Sequence, residues 1–446
     1  MTADISPFEH LQSIAQDPDS LDVLLSAKEF KATLLEAISK AQHRIYMTAL
    51  YLEDDDAGRE IMTALYEAKK ANPDLDIVVC VDWHRAQRGL IGAIASEGNA
   101  AMYKEYAAKY ANKIDVYGVP VSTKEVFGVL HLKGFIIDHC VIYSGASINN
   151  IYLQQQDRYR ADRYHRIINP ELADTMVCYI QQTFIADPAV NDLCSTNKPT
   201  TKDIKTTIKQ FRKRLRHSAY RFTPSKAGTD QVAVTPIVSV GKKNNQLNQM
   251  IVTLLSNAKD DIFIFTPYFN FPKEITKAVS IALSRGVKVT IVIGDKKAND
   301  FFIPPDQPFK IIGGIPYLYE INLRRFAKKY SPFLENGNLS IKLWQHNDNS
   351  FHLKGVWVDQ RYIMLTGNNL NPRAWSLDLE NGLLIQDPHQ LLAEKFQREA
   401  DTLLTNTTAI RSYKDIENIK HYPQEVRKLL RKIVPTRADK ILKRIL

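Results

Sequence analysis

The sequence predicts a two-lobed α/β protein, and three observations carry that reading. Strands alternate with helices of about a dozen residues, the strands are near-continuous apolar runs, and one strand–helix order occurs twice along the chain. The expected architecture is a pair of pseudo-symmetric lobes, each a mixed, mostly parallel sheet flanked by helices.

In the first half a helix over 30–41 leads into a strand over 43–49, then Tyr51, a helix over 56–70, and a strand over 75–81 that ends at Asp82. In the second half a helix over 247–258 leads into a strand over 262–267, then Tyr268, a helix over 272–285, and a strand over 287–293 followed by Asp295. Ile45 and Ile262, and Tyr51 and Tyr268, are each 217 residues apart, while Asp82 and Asp295 are 213 apart. An offset that drifts by only a few residues is what duplication with small loop insertions produces. The expected division is a first lobe over 1–200, a connecting helix and linker over 201–235, a second lobe over 236–410 and a tail over 411–446.

The connector opens at Asn197-Lys-Pro-Thr-Thr201 and reads as a helix over 202–222 with Ile204, Ile208, Phe211 and Leu215 on one stripe. Lys205, Lys209, Arg212, Lys213 and Arg216 form its other face, read as solvated, with lipid headgroups as the alternative. Residues 225–230 look like a mobile linker. The tail carries eleven Lys/Arg against four Asp/Glu from Arg411 onward, a large share of the whole chain's net +10. Its Val426, Leu429, Leu430, Ile433 and Val434 make a helical stripe flanked by Arg427, Lys428, Arg431 and Lys432, Pro435 ends it, and Ile441, Leu442 and Ile445 begin another. That is the pattern of an interfacial helix on an anionic membrane, the alternative being a helix docked on the protein's own core.

Composition narrows the class. A chain of 446 residues, 44% of them hydrophobic, buries a large core. The cysteines Cys80, Cys140, Cys178 and Cys194 show no CxxC spacing, and Cys80 sits in an apolar run, which fits free thiols in a reducing cytosol. The opening residues carry acids and no signal-like apolar stretch, and no window reaches the roughly eighteen apolar residues of a membrane span. A cytoplasmic protein peripheral to the inner face of the cytoplasmic membrane is expected.

The chemistry resides in a spacing that occurs twice, His-x-Lys-x4-Asp. It reads His131-Leu-Lys133-Gly-Phe-Ile-Ile-Asp138 and His352-Leu-Lys354-Gly-Val-Trp-Val-Asp359, 221 residues apart at matching places in the repeat. On a strand, His131 and Lys133 point to one side, and an imidazole beside an ammonium suits a phosphate. Each motif runs into a polar turn, with Ser147 and Asn149 in the first half and Asn369 and Asn371 in the second, whose amides can reach phosphate oxygens. A carboxylate follows in each half, Asp162 and Glu380, suited to hold a histidine Nδ1–H and support its cation. Asp82, His84, Arg85 and Arg88 follow a strand's carboxyl end, where α/β ligand sites gather, and they read equally as nucleotide contacts or as a solvated loop. Tyr317, Tyr319, Arg324 and Arg325 read either as a headgroup or cytidine pocket or as packing beneath a basic loop. His131 and His139 lack ligand partners at zinc spacing, so neither a metal nor another cofactor is expected.

These paired motifs resemble the HKD signature of the phospholipase D superfamily. Val81-Asp-Trp-His-Arg-Ala-Gln-Arg-Gly89, Tyr117-Gly-Val-Pro120, Asp162-Arg-Tyr-His165, Gly294-Asp-Lys-Lys-Ala-Asn-Asp300, Pro316-Tyr-Leu-Tyr-Glu-Ile-Asn-Leu-Arg-Arg325 and Thr366-Gly-Asn-Asn-Leu-Asn-Pro-Arg-Ala-Trp375 look more specifically like its Gram-negative phosphatidylserine synthases. The turns depart from the commoner Gly-Ser-x-Asn of the superfamily. The resemblance implies an active site between two phospholipase-D-like lobes. There the His, Lys and Asp of both motifs would turn CDP-diacylglycerol and L-serine into phosphatidylserine and CMP through a phosphatidyl-histidine, with His131 as nucleophile. It also implies a lipid surface as partner and no nucleic acid, and leaves oligomeric state open. The alternatives within the superfamily are a cardiolipin synthase-like enzyme or phospholipase, separable by acceptor, and a nuclease, separable by DNA cleavage.

Overall fold

The computed structural model describes residues 8, 10–89 and 97–433. Local sequence signals set the element starts. Ser26 caps the helix Ala27–Lys40 by accepting from Glu29 N–H, and Phe30, Leu34 and Ile38 form its buried stripe. Asp55 caps Asp56–Ala71 in the same way, with Ile61, Met62 and Leu65 turned inward.

The first-half strands are β1 Ile14–Gln16, β2 Leu21–Leu24, β3 Arg44–Thr48, β4 Asp76–Asp82, β5 Asp115–Val119, β6 Gly134–Ile137, β7 Cys140–Ser144, β8 Arg160–Ala161, β9 Tyr164–Ile168 and β10 Asn191–Asp192. The second-half strands are β11 Val232–Val240, β12 Asp261–Thr266, β13 Lys288–Gly294, β14 Leu339–Trp344, β15 Ser350–Phe351, β16 Gly355–Val358, β17 Tyr362–Thr366, β18 Leu379–Gln386 and β19 Thr407–Ile410. One sheet runs β10-β5-β4-β3-β6-β7-β9-β2 and the other β1-β11-β18-β17-β16-β12-β13-β14-β19. Read from β5 and from β14, the two orders correspond strand for strand, as duplication requires.

Within the two large sheets parallel pairing is confined to β3-β4-β5 and β12-β13-β14, and β8 and β15 add a short parallel pair between the halves, so the predominance of parallel strands expected from the sequence is corrected. The strands of each parallel trio follow one another through helical crossovers. Two residues join β6 to β7 and three join β16 to β17, and so tight a turn forces antiparallel neighbours.

Helices cover the outer face of each sheet, with separate cores beneath them. The inner faces share one core, in which Leu130, Leu132, Ile136 and Tyr143 of the first half meet Phe265, Leu353, Leu365 and Leu379 of the second. The lobes are therefore joined by buried apolar surface, and polar groups between them are largely shielded from solvent.

The connector is helical over Lys205–Leu215, with Ile208, Phe211 and Leu215 buried as the stripe implied. Arg212 does not lie on a solvated face: it donates to the carbonyls of Val121 at 3.0 Å and Leu377 at 2.9 Å, tying the two halves together. The tail helix, Gln424–Ile433, corrects the expectation of a free interfacial stripe. Val426 and Leu430 are buried in a cluster with Tyr317, Leu318 and Tyr422, and Leu429 meets Gly314. Val434, Ile441, Leu442 and Ile445 lie outside the described residues. Among the described residues no helix is long and apolar enough to cross a membrane.

Candidate active site

His131 and Lys133, expected on a strand, immediately precede β6, and His352 and Lys354 likewise precede β16. Gly134 and Gly355 open those strands with φ of +136° and +146°, a conformation that favours glycine. Each segment leaves its own sheet there and bonds to the other lobe. His131 N–H donates to Leu379 C=O at 3.0 Å, and His352 N–H to Ala161 C=O at 2.8 Å.

That register decides the chemistry. The residue after each accepting carbonyl is an acid, so the two carboxylates are exchanged between the lobes. Glu380 lies 2.9 Å from His131 Nδ1, and Asp162 lies 3.2 Å from His352 Nδ1. Nδ1–H donation to a carboxylate fixes the tautomer and leaves the Nε2 lone pair for reaction.

Burial pushes both histidines toward the neutral form, and the neighbouring ammonium groups push the same way. His131 falls well below its ordinary value, and His352 to about 4. Burial and Lys354 bring Lys133 down to about 7. The acids separate. Burial would raise Asp162, but Lys354 and His352 overcome it and hold it at about 2, whereas burial and the neighbouring Asp378 raise Glu380 well above its usual range. His352 and Lys354 both act on the ionisation of His131, so the two pairs share one electrostatic site.

Lys354 Nζ donates to Asp162 at 2.9 Å, touches His352 Nδ1, and lies against the Gly145 turn, where an added Cβ would strike it. Lys133 Nζ reaches Ser147 Oγ at 3.3 Å. Asn149 Oδ1 accepts from Tyr152 N–H, and the Tyr152 hydroxyl stands 2.8 Å from His352 Nδ1. Asn371 instead caps the helix Pro372–Ser376. Asn369 Oδ1 is buried without a hydrogen-bond partner, as is Asn368 Nδ2, beside the Gly367 turn that abuts Lys133.

Asp138 and Asp359 stand away from this site, and their expected place among the catalytic groups is corrected. Each follows the far end of its strand. Asp138 accepts from the backbone N–H groups of Gln42, His43 and Arg44, and Asp359 from those of Lys259, Asp260 and Asp261. Both are strand-to-helix-loop clamps, at φ near +51° and +54°.

The Asp82 cluster is mostly self-satisfied. Asp82 accepts from Leu130 N–H at 2.9 Å and so supports the approach to His131. Arg85 pairs with Glu53 at 2.9 Å over the Tyr51 ring, Arg88 is held by both oxygens of Glu125, and His84 Nε2 contacts Ser122 C=O. Tyr317 packs on Tyr422 and Arg324 donates to Tyr413 C=O, so these hold the tail region, while Tyr319 stacks on Tyr268 at 5.3 Å near His352.

Sequence reasoning missed four groups. Asn381 grips the Lys133 peptide from across the interface, accepting from its N–H and donating to its C=O, each at 2.8 Å. Arg163, also one residue after an acid, reaches Lys354 C=O and is paired with buried Glu399 at 2.7 Å. Arg160 and Asp300 form a further, half-buried pair at 2.7 Å, with Tyr268 donating to Asp300. Tyr152 completes the set. Among the described residues no cluster of three or more His, Cys, Asp or Glu could hold a metal ion.

Residues 34–182 and 251–404 match the family model described as cardiolipin synthase, PLD-like domain. The chain belongs to this PLD-like family. Two separate matches, one per half, agree with the internal duplication. The PLD-like chain is 48% identical over 437 residues to the CDP-diacylglycerol--serine O-phosphatidyltransferase PssA of Escherichia coli (strain K12), covering 98% of this chain and 96% of that protein. It is 46% identical to the CDP-diacylglycerol--serine O-phosphatidyltransferase of Haemophilus influenzae, covering 98% and 97%. The crystal structure of phosphatidylserine synthase from Haemophilus influenzae superposes with a TM-score of 0.94 at 45% identity, over 98% of this chain and 97% of that one.

Proposed function

We infer that this protein is a CDP-diacylglycerol–serine O-phosphatidyltransferase that acts on lipid in a membrane surface. The observation that carries the chemistry is the pair of buried His–Lys sets, each with its Nδ1 on an acid supplied by the other lobe. The donor and acceptor follow from the relatives of nearly full length.

In the proposed reaction, neutral His131 attacks the phosphorus bearing diacylglycerol through Nε2, the bond from phosphorus to the CMP oxygen breaks, and His352 gives its proton to CMP. His352 then takes the proton from the serine hydroxyl, whose oxygen attacks phosphorus as the phosphorus–nitrogen bond breaks. Phosphatidylserine leaves and His131 is restored. Superfamily resemblance favours His131 as nucleophile, and the acids support it: Asp162, ionised across the working range, is the better partner for a histidine that must carry a proton. Anionic diphosphate entering the site favours both ammonium groups and raises His352 toward the protonated form that the first step needs. Lys133 and Lys354 stabilise the equatorial oxygens, and Ser147, Asn149, Asn368 and Asn369 are the polar groups assigned to the same phosphate.

Labelled CDP-diacylglycerol incubated with serine, glycerol or water tests the reading: CMP release that depends on serine and yields phosphatidylserine is expected. CMP release indifferent to serine, or DNA cleavage without it, overturns it. His131→Ala and His352→Ala should each lose at least about 1,000-fold in kcat with the fold intact, and only His352→Ala should retain a phosphatidyl-protein adduct.

A further inference from the structure

We propose that the surface seating this protein on a bilayer consists of two apolar tips beside the active-site mouth, one from each lobe, with the basic face of the tail helix as their collar. This inference rests on the lipid substrate argued above and names the part of the protein that meets the lipid.

The second lobe supplies the larger tip. Asp300, which acts on His352 and pairs with Arg160, opens an excursion of fourteen residues, 301–314, that leads to the helix Ile315–Lys329. Phe309 is 36% exposed and Ile311 is 75% exposed, with Lys310 exposed between them. An isoleucine so open, beside a phenylalanine and a lysine, is apolar surface that no other described residue covers. The tip is not loose at its base: Ile303 meets Gly313, and Leu429 of the tail helix meets Gly314.

The first lobe supplies the turn Glu125–Phe127, where Val126 and Phe127 are 38% and 52% exposed. Arg88 grips the Glu125 carboxylate and Arg373 its carbonyl. Two residues beyond the turn, Val129 N–H is bonded to Asp378, and His131 follows. Each tip is thus carried on a segment anchored at a residue of the site, and Arg373, which holds the Glu125 carbonyl, also acts on His131 and on Tyr319 of the helix that follows the other tip.

Charge complementarity selects an anionic bilayer as the occupant. The tail helix, with its apolar stripe docked inward, has Lys428, Arg431 and Lys432 exposed beside the Ile311 tip, Lys428 in a surface pair with Glu425, and Lys310 adds a further exposed cation. Its stripe holds the collar on the protein, and the cations face headgroups while Phe309 and Ile311 enter the apolar layer.

The test compares the full-length protein with the double variants Phe309→Ser/Ile311→Ser and Val126→Ser/Phe127→Ser. A control, Ile281→Ser, removes another exposed isoleucine, on the helix Lys273–Ser284, at 41% exposure. Sedimentation with vesicles of phosphatidylcholine and phosphatidylglycerol should show apparent affinity lowered about tenfold for each double variant and unchanged for the control. Serine-dependent CMP release in detergent micelles should stay within about twofold for all, and release from vesicles should fall with binding. Vesicle affinity unchanged in both double variants, or lowered equally by Ile281→Ser, overturns the proposal. A change of oligomeric state without a change in vesicle binding does so too. Sedimentation needs no turnover and micellar turnover needs no vesicle, so a failure of this inference and a failure of the proposed reaction read out separately.

Discussion

Replacing Asn381 with leucine removes a buried polar group of similar volume and should do two separable kinds of damage. Asn381 is fully buried, and its amide satisfies Lys133 N–H and Lys133 C=O at 2.8 Å each and meets the Tyr220 hydroxyl at 3.0 Å. Leucine leaves those three groups without that partner in an apolar interface. At roughly 1–3 kcal/mol for each unsatisfied group, partly relieved by local relaxation, the loss of stability is about 3–6 kcal/mol. The catalytic effect is distinct, because the amide fixes the peptide that carries the Lys133 ammonium and leads to His131. A displacement of the order of 1 Å there lowers kcat by about 100-fold. Denaturant unfolding measures the first effect, and initial rates of CMP release below the melting range measure the second. Lower stability with wild-type kcat would show that Asn381 only packs the interface, and the positioning argument would be wrong.

Other perturbations follow from the same site. Lys133, held at about 7 by burial and Lys354, loses its proton in the empty site as pH rises, so kcat/KM should fall above about pH 7; Lys133→Arg should move that alkaline limb upward even as it lowers kcat, and an unmoved limb assigns the titration elsewhere. Asp138→Ala and Asp359→Ala should each cost about 1–3 kcal/mol of stability through lost backbone bonds while kcat/KM stays within about threefold, which a rate assay beside a thermal melt would check. Glu399→Gln leaves Arg163 buried against a neutral partner and should cost about 3–5 kcal/mol in a melt at neutral pH. Glu399 is held at about 2 by Arg163 and His165 against burial, from an ordinary 4.5, so its stabilising ionisation is complete above about 4.5 and lost as pH falls through about 2. The melting deficit of Glu399→Gln should accordingly shrink toward acid pH.

The repeat, the covering helices and the His–Lys pairs were legible because each is a local pattern. A stripe such as Phe30, Leu34 and Ile38 buries itself against whatever sheet is at hand, and the doubled spacing of His131 and His352 needs no partner to be noticed. Asp138 was legible too, had the strand been measured: five residues at about 3.3 Å carry it roughly 16 Å beyond Lys133, too far to share a phosphate. The tail stripe was ambiguous for a physical reason, since Val426 and Leu430 present the same periodicity to a bilayer and to Tyr317 and Tyr422. Asn381 and Arg163 gave no signal at all, because a single amide or guanidinium beside an acid acquires its role only from a backbone brought to it from 248 or 191 residues away.

The exchange of acids has a consequence for how the two halves depend on each other. Had each histidine taken the carboxylate of its own repeat, either lobe would hold a complete His, Lys and acid set and the interface would merely bring two such sets together. Instead His131 depends on Glu380 and Asn381, and His352 on Asp162, Tyr152 and Arg163, so each half supplies the other with the groups that set tautomer and position. Removing a carboxylate in one lobe should then impair the histidine of the other. Asp162→Asn should disturb the proton transfers assigned to His352, and Glu380→Gln the nucleophilic attack assigned to His131, with pre-steady-state CMP release as the measure. The burst should be slowed by both, whereas hydroxylamine added to intercept the phosphatidyl-enzyme should accelerate turnover only in Asp162→Asn, where removal of the acceptor's proton has become limiting. Equal rescue of both variants would mean that the two acids serve one histidine, contrary to the crossed register of His131 on Leu379 and His352 on Ala161.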